Sequence, residues 1–255
     1  MPAVDNHPLA NMVETLAART VIGGEDRTAL LDLPYSIRSF EPGSYLVRDG
    51  DPSSHCQIML DGFAIRHKIN NDGLRQIVSI IISTDIIDSE GFYLPVPDYN
   101  IQTLTRCNIA LVPITALRDL FLLHPSAGVA VFTNSLVEAS RYREWMLNIG
   151  RRDARTRVAH LLCELAVRLS DRGLTPSRRY ELPLTQEQLG DAVGLTSVHV
   201  NRTLKSLEKD GLIARNKRTI MLPEWDRLIK AADFNDRYLH LVELDGRSAR
   251  TFSTG

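Results

Sequence analysis

Apolar residues change their spacing several times along the chain, and each change marks a different kind of element. Residues 8–31 hold two weakly helical segments separated at Gly23-Gly24. From Tyr35 onward the apolar runs shorten, punctuated by Glu41-Pro42-Gly43, Asp49-Gly50-Asp51-Pro52, Asp61-Gly62 and Asn70-Asn71-Asp72-Gly73. Strands recurring every ~8–12 residues between such turns predict an antiparallel β-roll, not a sheet with helical crossovers. The run QIVSIII at 76–82 does not alternate, so it is expected to be buried on both faces. Residues 85–100 mix acids, a glycine, two prolines and two tyrosines, which predicts a loop across the roll of the kind that binds ligands.

The period then becomes helical. Pro125 suits a first turn, and Val129, Phe132, Leu136, Ala139, Met146 and Ile149 follow at spacings of three and four, with a gap at Tyr142-Arg143. This stripe predicts one long helix packed on a symmetry mate; the plainer alternative packs it only on its own β-domain. Gly150 is expected to break that helix and form a hinge. Asp153 is expected to cap the next one, whose core face is Val158, Leu161, Leu162, Leu165 and Leu169 and whose end is Gly173. A short amphipathic helix runs through Trp225, Leu228 and Ile229, and the last ten residues are polar.

Residues 184–213, LTQEQLGDAVGLTSVHVNRTLKSLEKDGLI, spell two short capped helices around a glycine turn. Thr185 and Gln188 make a capping-box pattern, Gly194 permits the turn, and Thr196 caps the second helix. Val200, Leu204 and Leu207 form its inner stripe, which leaves Ser197, Val198, His199 and Arg202 facing out. That is a helix-turn-helix, and an outward Val198 in the first turn of the second helix suits a thymine methyl in the major groove. The following GLIARNKRTIML predicts a two-stranded wing with Lys217 and Arg218 near phosphates. A helical hairpin without DNA is the bland alternative.

Charge sharpens this picture. The net charge is −1, yet residues 1–150 carry 11 Lys+Arg against 17 Asp+Glu, and residues 151–255 carry 19 against 14. Basic charge is concentrated where phosphates would be met. Cys56, Cys107 and Cys163 are far apart without C-x-x-C spacing, so reduced, buried thiols are expected in place of an iron–sulfur or zinc site. No membrane span or secretory signal is indicated, and a cytoplasmic protein is expected. The expected division is 1–116 for the roll with its leading helices, 117–150 for the long helix and hinge, 151–235 for the winged helix-turn-helix, and 236–255 for a tail.

Turn-rich roll, long helix and basic winged helix-turn-helix, in that order, resemble the CRP/FNR family of bacterial transcription regulators. The likeness rests on the reader segment, on Gly50, Gly62 and Gly73 at roll turns, and on REWMLNIGRRDARTRVAHLLCEL, which looks like an alphaproteobacterial branch. It implies an α+β fold: an N-terminal antiparallel β-roll of the cyclic-nucleotide-binding type, a long dimerisation helix and a C-terminal winged helix-turn-helix. It also implies a homodimer on a palindromic operator, double-stranded DNA as partner, RNA polymerase as a further partner, and base-reading positions at Ser197, Val198, His199 and Arg202. Thr185 and Gln186 would lie near the DNA backbone, and Thr196, Lys205, Lys217 and Arg218 complete the expected DNA-contact set. The effector region maps to Asp88, Ser89, Glu90, Tyr99 and Asn100. There the family's Gly-Glu-Leu is replaced by Asp88-Ser89-Glu90, and its Arg-Ser by Tyr99-Asn100. A cyclic phosphate would lack a cation and meet Asp88, so cyclic AMP is disfavoured, the effector is unknown and no cofactor or metal is predicted.

Three other readings stay open. The protein could be competent without an effector. It could be an interaction module with a vestigial reader. A catalytic cupin-like barrel would need clustered metal ligands, and the roll offers only His55 and His67 without ligand spacing, so no enzyme is expected.

Overall fold

A computed structural model describes residues 7–94, 96–175 and 178–241, with the side chain of Glu90 also outside the described set. Two short helices, α1 (Ala10–Ala17) and α2 (Gly24–Leu31), lead into seven strands. These are β1 (Ser36–Phe40), β2 (Tyr45–Val47), β3 (His55–Asp61), β4 (Ala64–Ile69), β5 (Arg75–Ile81), β6 (Asn100–Thr103) and β7 (Cys107–Pro113). They form two antiparallel sheets, ordered β1-β7-β3 and β2-β6-β4-β5. Gly50, Gly62 and Gly73 all take positive φ at the roll's turns. Between the sheets lie Val47, Met59, Ala64, Ile81, Ile101 and Ile109, the interior that the short apolar runs anticipate.

Beyond the roll come α3 (Ile114–Leu123) and α4 (Pro125–Arg151), bent by 119° relative to each other across His124. Pro125 occupies the first turn of α4, where its missing N–H costs nothing. No single helix among the described residues is long and apolar enough to cross a membrane. The expected break at Gly150 is corrected by the structure: α4 runs through Gly150, and the chain extends only at Arg152, with φ −83° and ψ 150°. One helical glycine costs only ~1 kcal/mol. The break is set by Asp153, whose carboxylate accepts from Thr156 N at 2.8 Å to start α5 (Ala154–Asp171).

The C-terminal unit comprises α5, β8 (Arg179–Glu181), α6 (Gln186–Val193), α7 (Ser197–Lys209), β9 (Ala214–Asn216), β10 (Thr219–Met221) and α8 (Trp225–Ala231). The wing has three strands, ordered β8-β10-β9, one more than the sequence suggests. Its core is continuous with the outer face of the roll, since Ile65, Ile77, Ile80 and Ile82 pack in one cluster with Val158, Leu162, Leu189, Val193 and Val200. This is why QIVSIII is apolar on both faces. One face fills the roll, and the other receives the reader. Arg75 pairs with Asp191 of α6 at 2.8 Å, and Gln76 Nε2 donates to the Asp191 carbonyl at 2.6 Å.

Helix α5 is buried almost all round, including a polar row at His160, Glu164 and Arg168. Glu164 Oε2 accepts from Trp145 Nε1 of α4 at 2.9 Å and from the Tyr238 hydroxyl at 2.8 Å. Arg168 donates to the Ile80 carbonyl and to Asp85, each at 2.9 Å. Burial alone would raise the Asp85 carboxyl; Arg168, Arg141 and Arg172 around it outweigh that and hold it below the usual carboxylate range. Burial, and then Arg152, keep His160 below the ordinary imidazole value. One polar network therefore ties roll, long helix and reader together.

Candidate nucleic-acid interface

The reader is assembled by local hydrogen bonds that its sequence specifies. Thr185 Oγ1 accepts from Gln188 N at 3.1 Å, and Gln188 Oε1 accepts from Thr185 N at 2.9 Å, closing the capping box of α6. That helix ends at Gly194 with φ 68°. Thr196 Oγ1 accepts from His199 N at 3.3 Å and opens α7. The angle between the two helices depends on Gly190, where an added Cβ would lie 2.3 Å from the Leu195 carbonyl oxygen. Gly190→Ala is accordingly expected to cost about 1–3 kcal/mol in thermal or denaturant unfolding through forced backbone movement. A melting temperature equal to that of the parent protein would contradict this account of the turn.

On α7 the inner stripe Val200, Leu204 and Leu207 is buried, while Ser197, Val198, Arg202 and Lys205 are exposed and His199 is half-buried. Val198 is 77% exposed, an apolar side chain left largely uncovered. Gln186, Ser197, Val198, Asn201, Arg202 and Lys205 line one shallow depression. Asn201 Nδ2 donates to Gln186 Oε1 at 3.1 Å, linking the two helices at its floor. Asn201 is absent from the expected set; its place one position after a buried valine hides it from the apolar pattern. Among the described residues neither Arg202 nor Lys205 has a side-chain hydrogen bond or ion pair, so both are free to bind an anionic partner. Lys217, with φ 54°, and Arg218 are exposed at the turn between β9 and β10. Thr185 and Thr196 are exposed at the caps.

The stripe on α4 faces solvent. Phe132 is 63% and Met146 73% exposed, Val129 and Leu136 are exposed, and Ala139 and Ile149 are half-buried. The opposite face, with Ala127, Ala130, Val131, Val137 and Trp145, is buried in the chain's own core. Leu147 joins the outer stripe, and exposed Arg143 fills the gap in it.

Of the effector-region residues, the structure brings together Asp88, Ser89 and Tyr99, all buried. Tyr99 donates to Asp88 Oδ1 at 2.9 Å, and Ser89 meets Ser135 of α4 at 3.2 Å. Asn100 stands apart, accepting from Asp49 N at 3.2 Å, and the side chain of Glu90 lies outside the described residues. The expectation of a region without a cation is corrected. Arg66 of β4 stands with its guanidinium carbon 4.6 Å over the Tyr99 ring. It is already engaged, donating to Glu138 at 2.8 Å, to the Ile87 carbonyl at 2.7 Å and to the Tyr142 hydroxyl. An arginine inside a strand carries no sign, in sequence, of which loop it will cover.

Cys56, Cys107 and Cys163 are free and buried, and burial raises the thiol of each above its ordinary value. No group of three or more His, Cys, Asp or Glu among the described residues is placed to hold a metal ion.

Residues 156–231 match the Crp-like helix-turn-helix domain, and residues 37–124 match the cyclic nucleotide-binding domain. The chain is 30% identical over 213 residues to the transcriptional activator protein FnrL of Cereibacter sphaeroides, covering 82% of this chain and 84% of that protein. The chain belongs to the CRP/FNR family of transcription regulators. Other members include the nitrogen fixation regulation protein FixK of Azorhizobium caulinodans, 25% identical over 175 residues, with 69% of this chain and 70% of that protein covered. The solved structure of FixK2 from Bradyrhizobium japonicum superposes with a TM-score of 0.72 at 24% identity, over 78% of this chain and 98% of that one. This regulator is therefore a DNA-binding protein built from a cyclic-nucleotide-binding-like roll, a long helix and a helix-turn-helix.

Proposed function

We propose that this regulator binds an inverted-repeat operator as a homodimer paired along α4, with Ser197, Val198, His199, Asn201 and Arg202 facing base edges. The observation that carries the reading is the joint exposure, in one depression of α7, of an apolar Val198 and of Arg202, which has no ion pair among the described residues. Lys205, Lys217 and Arg218 add sequence-independent attraction to phosphates. Two readers related by a two-fold axis suit half-sites one DNA turn apart, and the bare apolar stripe on α4 supplies a face for that pairing. Acting on promoters brings RNA polymerase in as a further partner and places the protein in the cytoplasm. Cyclic AMP is not its effector, because Arg66, the cation over Tyr99, is committed to Glu138 and the Ile87 carbonyl.

Selection of bound duplexes from a random pool by the purified protein tests this reading, with enrichment of an inverted repeat expected. Arg202→Ala should then lose about 1–3 kcal/mol of discrimination at one symmetric position if it grips guanine. A flat preference among duplexes at moderate salt would overturn the proposal.

A further inference from the structure

A cavity of about 340 Å³ opens where α1, the turn after β5 and the C-terminal end of α5 meet, away from the recognition helix. Its charged lining is Arg19, Arg27 and Arg172 against Glu14 and Asp171. Arg27 and Glu14 pair with each other. Arg172, its side chain 8% exposed, reaches Asp85 at 3.5 Å and Asp171 at 3.9 Å and donates to the Thr15 hydroxyl. Arg19 is left over. It donates to the neutral Asn134 Oδ1 at 2.7 Å, and no carboxylate lies within 4 Å of it among the described residues. Burial first, and Arg172 second, lower its guanidinium to about 10, outweighing the opposing pull of Asp85 and Asp171. Behind the cavity, Arg141 and Arg168 crowd the same Asp85.

An independent sign comes from Thr84 in the same wall. Its φ is 74°, a left-handed conformation that a β-branched residue adopts only under constraint, and such strain gathers at ligand sites. The Thr15 hydroxyl donates to Thr84 Oγ1 at 3.2 Å, so hydroxyls as well as guanidinia stand at the cavity.

We propose that this cavity binds a small, multiply charged oxyanion held between Arg19 beside α1 and Arg172 at the end of α5. Its volume is at the low end of small-molecule sites, ~300–1,000 Å³, and suits a diphosphate or a tricarboxylate. Guanidinium forks match either group, since both phosphate and carboxylate oxygens accept two parallel N–H bonds. Because Arg19 lies in the turn after α1 and Arg172 caps the end of α5, the reader's first helix, an occupant adds a tie between the two units and biases the reader's position. The assignment deepens the regulator reading above, on which its role as effector rests.

Calorimetry and thermal melting of the full chain with pyrophosphate and with citrate, each against KCl of equal ionic strength, test the site. One of the two anions is expected to bind one per chain and raise the melting temperature, which separates phosphate from carboxylate chemistry. Arg19→Ala should weaken it by about tenfold or more, the value of a lost charged hydrogen bond. Arg19→Lys, which keeps charge and stem, should fold and bind with intermediate strength, and Arg106→Ala on the exposed roll surface should change nothing. Binding no stronger than the KCl control overturns the proposal. So does anion binding that survives both Arg19 variants, or that an operator duplex displaces. A protein that binds the anion yet selects no DNA would sink the regulator reading and leave the site standing.

Discussion

Phe132→Asp is expected to yield a folded monomer that no longer holds an inverted repeat. In the single chain Phe132 is 63% exposed, so its removal leaves the protomer's own core intact and the far-ultraviolet dichroism unchanged. In the proposed dimer the two α4 stripes cover each other, and each buried phenylalanine contributes about 1.5–3 kcal/mol. Losing both, with two carboxylates brought together at the axis, should weaken pairing by about 10²–10⁴-fold. Operator affinity should fall by about 10²–10⁴-fold as well, because linked half-site binding is lost. Sedimentation and anisotropy titrations on whole and half operators measure the two effects separately. A variant that stays dimeric would show that α4 packs on something other than its own copy.

The second large effect is expected at Glu164, a charged side chain with 0% exposure inside α5. Glu164→Ala removes the acceptor shared by Trp145 and Tyr238 and leaves Arg168 facing Asp85 without its second carboxylate, at 3.4 Å in the parent. Breaking a buried pair from one side costs about 3–5 kcal/mol, since the surviving polar groups stay desolvated and unsatisfied. For a chain of this size that lowers the melting temperature by roughly 10 °C. Glu164→Gln keeps an oxygen for Trp145 and Tyr238 and should recover part of the loss. Denaturant titrations compare the three proteins, and an Ala variant within about 0.5 kcal/mol of the parent would mean that the network is solvated.

The reader was legible because everything that builds it is local. Caps reach three residues, the glycine turn spans four, and the Val200–Leu204–Leu207 stripe repeats within two turns. Turn residues likewise announced the roll. β8 leaves no mark in the sequence since Arg179-Tyr180-Glu181 has no period of its own; it is a strand because β10 lies beside it. The helix break falls past Gly150 for a related reason. Gly150 is a weaker signal than a cap, and Asp153 decided the geometry.

Arg66, His160, Glu164 and Arg168 show where sequence patterns stop. Spaced by four, the three residues of α5 look like a solvated face, and Arg66 looks like an outward strand position. Each is buried against groups distant in the chain: Arg66 on Glu138 across 72 positions, Arg168 on Asp85 across 83. Apolar periodicity and capping chemistry by themselves determined the elements, their order and the outward face of α7. Only the tertiary structure decided which charges pair, what covers the second face of QIVSIII, and that Arg19 meets the neutral Asn134 and, among the described residues, no carboxylate within 4 Å. Periodicity and capping are satisfied within a few residues of chain, whereas a buried charge is satisfied only by whatever the packing of remote elements brings within hydrogen-bond reach.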